Sequence, residues 1–136
     1  MDNFSDVACV VRTVGERTTE ACLSLLVGFL GAVEVVSREP FSAALEASLE
    51  AGINSGRPWT LIIDADVLIH APGLAAMLKD RHVLPDDTFM YHASVMDKFF
   101  RRYRRAGNRL YRTASLPDAL GLVCAEKRLR PERDLC

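Results

Sequence analysis

Apolar residues come in short, nearly continuous runs that alternate with segments in which they recur every three or four positions. The runs lie at residues 7–11, at 32–36, where Glu34 is the only charged residue, and at 59–66, which includes Thr60 and ends in Asp64-Ala65-Asp66. Runs of this length are typical of strands buried on both faces of a parallel sheet. Three strands are therefore predicted in the first half of the chain.

The segment that follows each run has helical periodicity. Apolar positions recur on one face from Thr19 to about Leu30, again after Pro40, and again after Pro72, so a helix is predicted behind each strand. We expect Gly52 and Gly56 to close the second helix. The order β-α-β-α-β-α predicts an α/β fold, a three-layer α/β/α sandwich with a mostly parallel central sheet.

The pattern changes after residue 87. Residues 88–96 and 109–113 predict two further strands of a mixed sheet, and a last helix begins at Ser115. Between the strands, residues 97–105 combine arginines with aromatics. We expect one helix there with an apolar stripe and a solvated basic face, followed by a turn at 106–108. Alternatively, the aromatic side chains of this segment could stack on bases, although a nucleic-acid partner is not expected. Its basic side chains could also dock on anionic lipid at a membrane surface or on a phosphorylated acceptor.

Charge is distributed unevenly along the 136 residues. The net charge is −1, but residues 1–97 hold 6 basic and 14 acidic side chains, whereas residues 98–136 hold 11 basic and 4 acidic ones. The second part is therefore expected to face an anion or to pack on the acidic first part. The four cysteines form no C-x-x-C pair and the three histidines have no ligand spacing, so we expect a cytoplasmic protein whose cysteines and histidines are structural.

Two aspartates stand two positions apart at the end of the third apolar run. In an extended chain, Asp64 and Asp66 point to the same side. Two carboxylates this close are costly unless a cation or hydrogen-bond donors lie between them. Hard oxygen ligands of this kind suit Mg²⁺ or Mn²⁺, and both ions commonly bridge to substrate phosphates.

Several segments carry a likeness to a known family: residues 10–13 with the helix behind them, 43–56 leading into the third strand, 61–74, 96–100 and 107–113. In these segments the chain resembles the nucleotide-sugar glycosyltransferases of the GT-A fold, and most of all the bacterial group related to the inverting family-2 enzymes. The likeness spans roughly residues 7–123. It implies transfer of a sugar from a nucleotide-diphosphate sugar donor to an acceptor that the sequence does not identify.

The likeness also implies roles for particular residues. Asp66 would ligate the divalent metal on the donor diphosphate, and Asp64 would contact the nucleotide ribose or the metal shell. The nucleotide pocket would be lined by Arg12, Thr13 and Arg17. The metal would neutralise the diphosphate and stabilise the charge that develops on it as it leaves.

The chain departs from the family pattern in two places. Acidic residues that touch the base commonly end the second strand, and here Glu39 is the substitute. The general base of an inverting enzyme is assigned to Glu132 and Asp134, but the helix that would follow them is absent. We therefore expect one domain over residues 1–136 that lacks part of its acceptor region.

Other families have the same local sequence pattern around the two aspartates. In a phosphatase of haloacid-dehalogenase type, Asp64 would be the nucleophile and Asp66 the acid and base. A metal-dependent nuclease of PIN type also has a strand that ends in aspartate. Both usually carry the motif on the first strand, whereas here it follows two βα units. A third alternative is a fragment that binds nucleotide without catalysis.

Overall fold

One five-stranded sheet forms the centre of the fold in the computed structural model, which describes residues 4–30, 33–67, 69–97 and 102–126. The strands are β1 Val7–Arg12, β2 Glu34–Val36, β3 Trp59–Asp64, β4 Met90–Asp97 and β5 Arg102–Arg112. The α-helices are α1 Thr19–Leu30, α2 Phe41–Ser55, α3 Ala71–Lys79 and α4 Leu116–Glu126, and short 3₁₀ turns lie at Asp80–His82 and Thr113–Ser115.

The sheet is mixed, with the strand order β2-β1-β3-β5-β4. β1 pairs in parallel with β2 and β3, whereas β5 pairs antiparallel with both β3 and β4. The predicted α/β class is confirmed, and helices on both faces are compatible with the predicted sandwich. The prediction of a mostly parallel sheet is wrong, because β4 and β5 form an antiparallel pair and β5 continues the sheet beyond β3.

Alternate residues of the central strands enter two separate cores. Cys9 and Ile63 belong to the core under α1 and α3, whereas Val10 and Ile62 belong to the core under α2 and α4. All four are at most 3% exposed. Because the central strands are covered on both faces, they read in the sequence as nearly continuous apolar runs.

Glycines have two different roles in and after α2. Gly56 ends the helix in the left-handed region, with φ 68°, and its N–H donates to the carbonyl of Ile53. Gly52 was also predicted to close the helix, and that is wrong: it lies inside α2, against the side chain of Thr60 on β3. Its role is to let the helix approach the sheet closely.

The segment from β4 to β5 differs most from the sequence prediction. Residues 102–105 belong to β5 and pair with residues 94–97 of β4, so the helix expected over 97–105 is wrong. The turn expected at 106–108 is wrong as well, since these residues belong to β5, although the register with β4 shifts there between His92 and Ser94. Residues 98–101 of the expected helix lie outside the described residues. The strands expected at 88–96 and 109–113 are confirmed in β4 and β5.

The start of α3 explains the role of one histidine. The His70 side chain accepts a hydrogen bond from the Gly73 N–H at 3.2 Å, and Pro72 lies in the first turn, where a missing N–H costs nothing. The predicted structural role of His70 is thereby confirmed. None of the helices in the described part of the chain is long and apolar enough to cross a membrane.

Two cysteines lie in the core under α1. Cys9 on β1 and Cys22 on α1 are free thiols and at most 3% exposed, as expected of packing residues. Burial raises the pKa of Cys9 to about 12. Burial also raises the pKa of Cys22, helped by the negative charges of Asp66 and Asp64.

Candidate functional site

A cleft of about 750 Å³ opens where β1, β2 and β3 end. It is lined by residues 12–14 and 16 at the end of β1, by residues 38–40 before α2, by residues 41 and 44 of α2, and by Asp64 and Asp66 at the end of β3. The carboxyl ends of parallel strands are where ligands bind in open α/β sheets. The cleft thus lies where the order of the elements predicts a ligand site, and it is large enough for a small-molecule ligand.

Arg12 and Asp64 form the back wall of this cleft. The parallel register places them opposite each other on β1 and β3. The guanidinium meets Asp64 Oδ1 with two nitrogens, Nε at 2.9 Å and Nη2 at 2.7 Å. It also lies over the ring of Phe41, 5.1 Å from the ring centre. Arg12 is only 6% exposed.

Asp66 lies on a turn that two other elements hold in place. β3 ends at Asp64, and the Val67 N–H closes the turn on the Asp64 carbonyl at 3.0 Å. Between the aspartates, the side chain of Ala65 is fully buried. Its N–H donates to the Arg12 carbonyl, and its own carbonyl accepts the hydroxyl proton of Thr18. Asp66 is exposed, and both aspartates line the cleft.

The loop between β1 and α1 is organised around one carboxylate. Glu16 accepts hydrogen bonds from the Thr13 hydroxyl at 2.7 Å and from the Val14 N–H at 3.1 Å. Burial acts to raise the pKa of Glu16, but these hydrogen bonds outweigh it, so the pKa lies below its usual range. Gly15 takes φ 92° at the tip of the loop, a value that favours glycine.

The residues implied by the family likeness are placed as follows. Arg12, Thr13, Glu39, Asp64 and Asp66 line one cleft. Arg17 is exposed on the same loop as Thr13, outside the residues that line the cleft. Glu132 and Asp134 lie outside the described residues.

The sequence did not single out three of the lining residues. Phe41 follows Pro40 at the start of the predicted second helix, and it is 37% exposed and lines the cleft. Arg38 and Glu16 lie in the loops between predicted elements. Their common signal is position: each comes within five residues after the end of a parallel strand.

The site presents charges of both signs. Arg38 offers a guanidinium group, Asp66 and Glu39 offer carboxylates, and Arg12 adds a positive charge that is almost completely buried. Within the described residues, no group of three or more histidine, cysteine, aspartate or glutamate side chains is arranged to hold a metal ion.

No family model matches the chain, and no curated protein matches it in sequence. In fold, the chain is similar to A197 from STIV, with a TM-score of 0.58 at 13% identity over 82% of this chain; it spans 66% of the length of A197.

A second similar structure is 4-diphosphocytidyl-2C-methyl-D-erythritol synthase from Anaerococcus prevotii DSM 20548. Its TM-score is 0.58 at 9% identity, over 94% of this chain and 84% of that one. At such low identity the likeness concerns the fold alone.

Proposed function

We propose that the cleft binds a nucleotide-diphosphate sugar and that the domain is a glycosyltransferase, which transfers the sugar to an acceptor. One observation carries the proposal: both aspartates after β3 line a cleft at the ends of three parallel strands, together with Arg38 and Phe41. The fold likeness to the diphosphocytidyl synthase supports a nucleotide ligand at this edge of the sheet.

A divalent metal fits this site only with help from its ligand. Asp64 already accepts two contacts from Arg12, which leaves the exposed Asp66 as the main protein ligand and Asp64 as the second. Mg²⁺ and Mn²⁺ are often held by one or two carboxylates and completed by water and substrate phosphates, so a shell built with the diphosphate suits this pair. When bound, such an ion would neutralise the diphosphate and stabilise it as a leaving group.

The chain's own residues would orient the donor. Arg12 fixes the Asp64 carboxylate, and Thr18 fixes the turn that carries Asp66, so both oxygen ligands are positioned before a donor enters. Arg38 at the opposite side of the mouth adds positive charge for the phosphates. Proton removal from the acceptor is assigned to Glu132 or Asp134.

The phosphatase alternative is less well supported by the same geometry. An aspartate nucleophile needs a carboxylate oxygen that is free to attack phosphorus. Two guanidinium nitrogens lie on Asp64 Oδ1, and the positive charge beside it lowers its nucleophilicity. Asp64 is better suited to hold an ion or a hydroxyl than to form a phosphoryl intermediate.

A thermal-shift panel of nucleoside diphosphates with and without Mn²⁺ tests the proposal. We expect at least one nucleoside diphosphate to stabilise the chain more with Mn²⁺ than without it, and Asp66→Ala to remove the difference. Asp87→Ala, which changes an exposed aspartate outside the cleft, is the matched control and should keep it. Equal stabilisation with and without the metal would contradict a metal-assisted donor site.

A further inference from the structure

Phe41 is an exposed aromatic ring in the wall of the cleft, and it has a cation behind it. We propose that this ring is the platform on which the planar base of the nucleotide stacks, and that Arg12 supports the platform rather than contacting the ligand. The inference rests on the proposed function and assigns one part of the ligand to one side chain. It moves the ligand contact from Arg12, where the family likeness put it, to Phe41.

The position of Phe41 is unusual for an apolar residue. It is the first residue of α2, it is 37% exposed, and it lines the cleft. The neighbouring helix residues Ala44 and Leu45 are both at most 8% exposed, so the helix has a well-covered apolar face of its own. An exposed aromatic side chain inside a cleft, rather than on a convex surface, is a typical ligand contact.

The guanidinium of Arg12 is not available to a ligand in the same way. It is held between the Asp64 carboxylate and the Phe41 ring, and the residue is 6% exposed. A cation over one face of an aromatic ring is favourable and fixes the orientation of both groups. Because Asp64 anchors Arg12 and Arg12 lies against Phe41, the ring is held in place before a ligand binds.

The chemistry of the platform points to a flat aromatic ligand group. Arg12 lies over the Phe41 ring, and Phe41 is still 37% exposed and lines the cleft. Stacking of a base on an aromatic side chain is worth about 1–3 kcal/mol by alanine substitution, and every base offers a face for it. With the base on Phe41, the phosphates are left to Asp66 with its metal and to Arg38, which line the same cleft.

The chain contains a matched control for this arrangement. Arg81 lies over the ring of Phe4 with its Cζ 5.3 Å from the ring centre, compared with 5.1 Å for Arg12 and Phe41. Phe4 precedes β1 and therefore lies at the other end of that strand from the cleft. Replacing either phenylalanine removes a ring next to a buried arginine, but only one of the two rings borders the cleft.

Isothermal titration of three variants with two ligands tests the platform. In the presence of Mn²⁺, Phe41→Leu should weaken the binding of the best nucleoside diphosphate of the panel by about 5- to 150-fold. It should leave the affinity for pyrophosphate, which has no base, unchanged. Phe41→Tyr, which keeps the ring, and Phe4→Leu should both retain the affinity of the natural chain for both ligands.

Each outcome has a distinct meaning. Unchanged nucleotide binding in Phe41→Leu would overturn the platform and leave the proposed function standing. Equal weakening of nucleotide and pyrophosphate binding would overturn it too, since Phe41 would then support the phosphate region instead of the base. If the natural chain binds pyrophosphate with Mn²⁺ but no nucleoside diphosphate, the proposed function and the platform are both wrong.

Discussion

Arg12 and Asp64, which are 52 residues apart in the sequence, face each other across β1 and β3, and two guanidinium nitrogens converge on one carboxylate oxygen. Two aspartates as close as Asp64 and Asp66 need a cation or hydrogen-bond donors nearby. The protein supplies that cation itself. Arg12 therefore balances one of the two negative charges of the acidic pair before a ligand binds.

Arg12→Lys should weaken both the fold and the proposed nucleotide site. Lysine keeps the positive charge but cannot place two donors on Asp64 or a flat group against Phe41. We expect a loss of about 1–3 kcal/mol in the free energy of unfolding, measured in urea, because a partner of a charged hydrogen bond is lost. We also expect weaker nucleotide binding in the presence of Mn²⁺.

Arg81→Lys is the matched control for that substitution. Arg81 is 5% exposed and makes a two-bond contact with Asp6, at 3.0 Å from Nε and 2.9 Å from Nη2. Arg81→Lys should lower the free energy of unfolding by a similar amount and leave the nucleotide affinity unchanged. If both variants lose nucleotide affinity to the same extent, the effect of Arg12 is a general loss of folding and does not concern the cleft.

Acid should weaken the contribution of Asp6 to stability. The hydrogen bond from Arg81 lowers the pKa of Asp6 below its ordinary value of 3.8. Since the folded state favours the ionised form, this stabilisation is complete above the unfolded pKa and is lost as the pH falls through the folded pKa. The difference in unfolding free energy between the natural chain and Asp6→Asn should therefore shrink as the pH falls from about 5 to about 2.

Urea denaturation at several pH values measures this difference. Asp87→Asn, at an exposed position, serves as the control for the loss of a carboxylate without a buried partner. A difference for Asp6→Asn that stays constant over the whole range would mean that the Arg81 contact does not favour the ionised carboxylate.

Gly52→Ala should destabilise the protein although alanine favours helices. A Cβ at this position would lie 2.6 Å from Thr60 Cγ2 and 2.9 Å from Leu116 Cδ1, so the helix, the sheet or α4 must shift. Overpacking of this kind costs about 1–3 kcal/mol. Gly28→Ala in α1 is the control: nothing lies within 4 Å of its Cβ, and stability should rise by up to about 1 kcal/mol. Opposite signs of the two changes in the urea midpoint check the close approach of α2; a stable Gly52→Ala variant would contradict it.

Local periodicity was sufficient for the first half of the fold. The runs at β1 and β3 and the helical spacing of α1, α2 and α3 are properties of short windows, and the structure has these elements within a few residues of the predicted bounds. The position of the acidic pair at the end of the third strand was readable for the same reason. Such features depend on which residues are neighbours in sequence.

Features that depend on pairing between distant segments could not be predicted from the sequence. Residues 102–105 have a composition that suits a helix, but they pair with β4 in the structure, and pairing overrides local preference. Gly52 looks like a helix end until Thr60 and Leu116 are seen to pack against it. The contact between Arg12 and Asp64 depends on the register of two parallel strands, which no local window contains.

The residue between the two aspartates determines what this motif tolerates. Ala65 has no exposed surface, and both its N–H and its carbonyl are engaged, by Arg12 and Thr18. A larger side chain there would have to enter the core and would displace the carboxylates on either side. The size of the middle residue of the motif is thus constrained by the core, whereas the two outer residues are constrained by their charge. A pattern used to find distant relatives should specify a small residue at this position as strictly as it specifies the two aspartates.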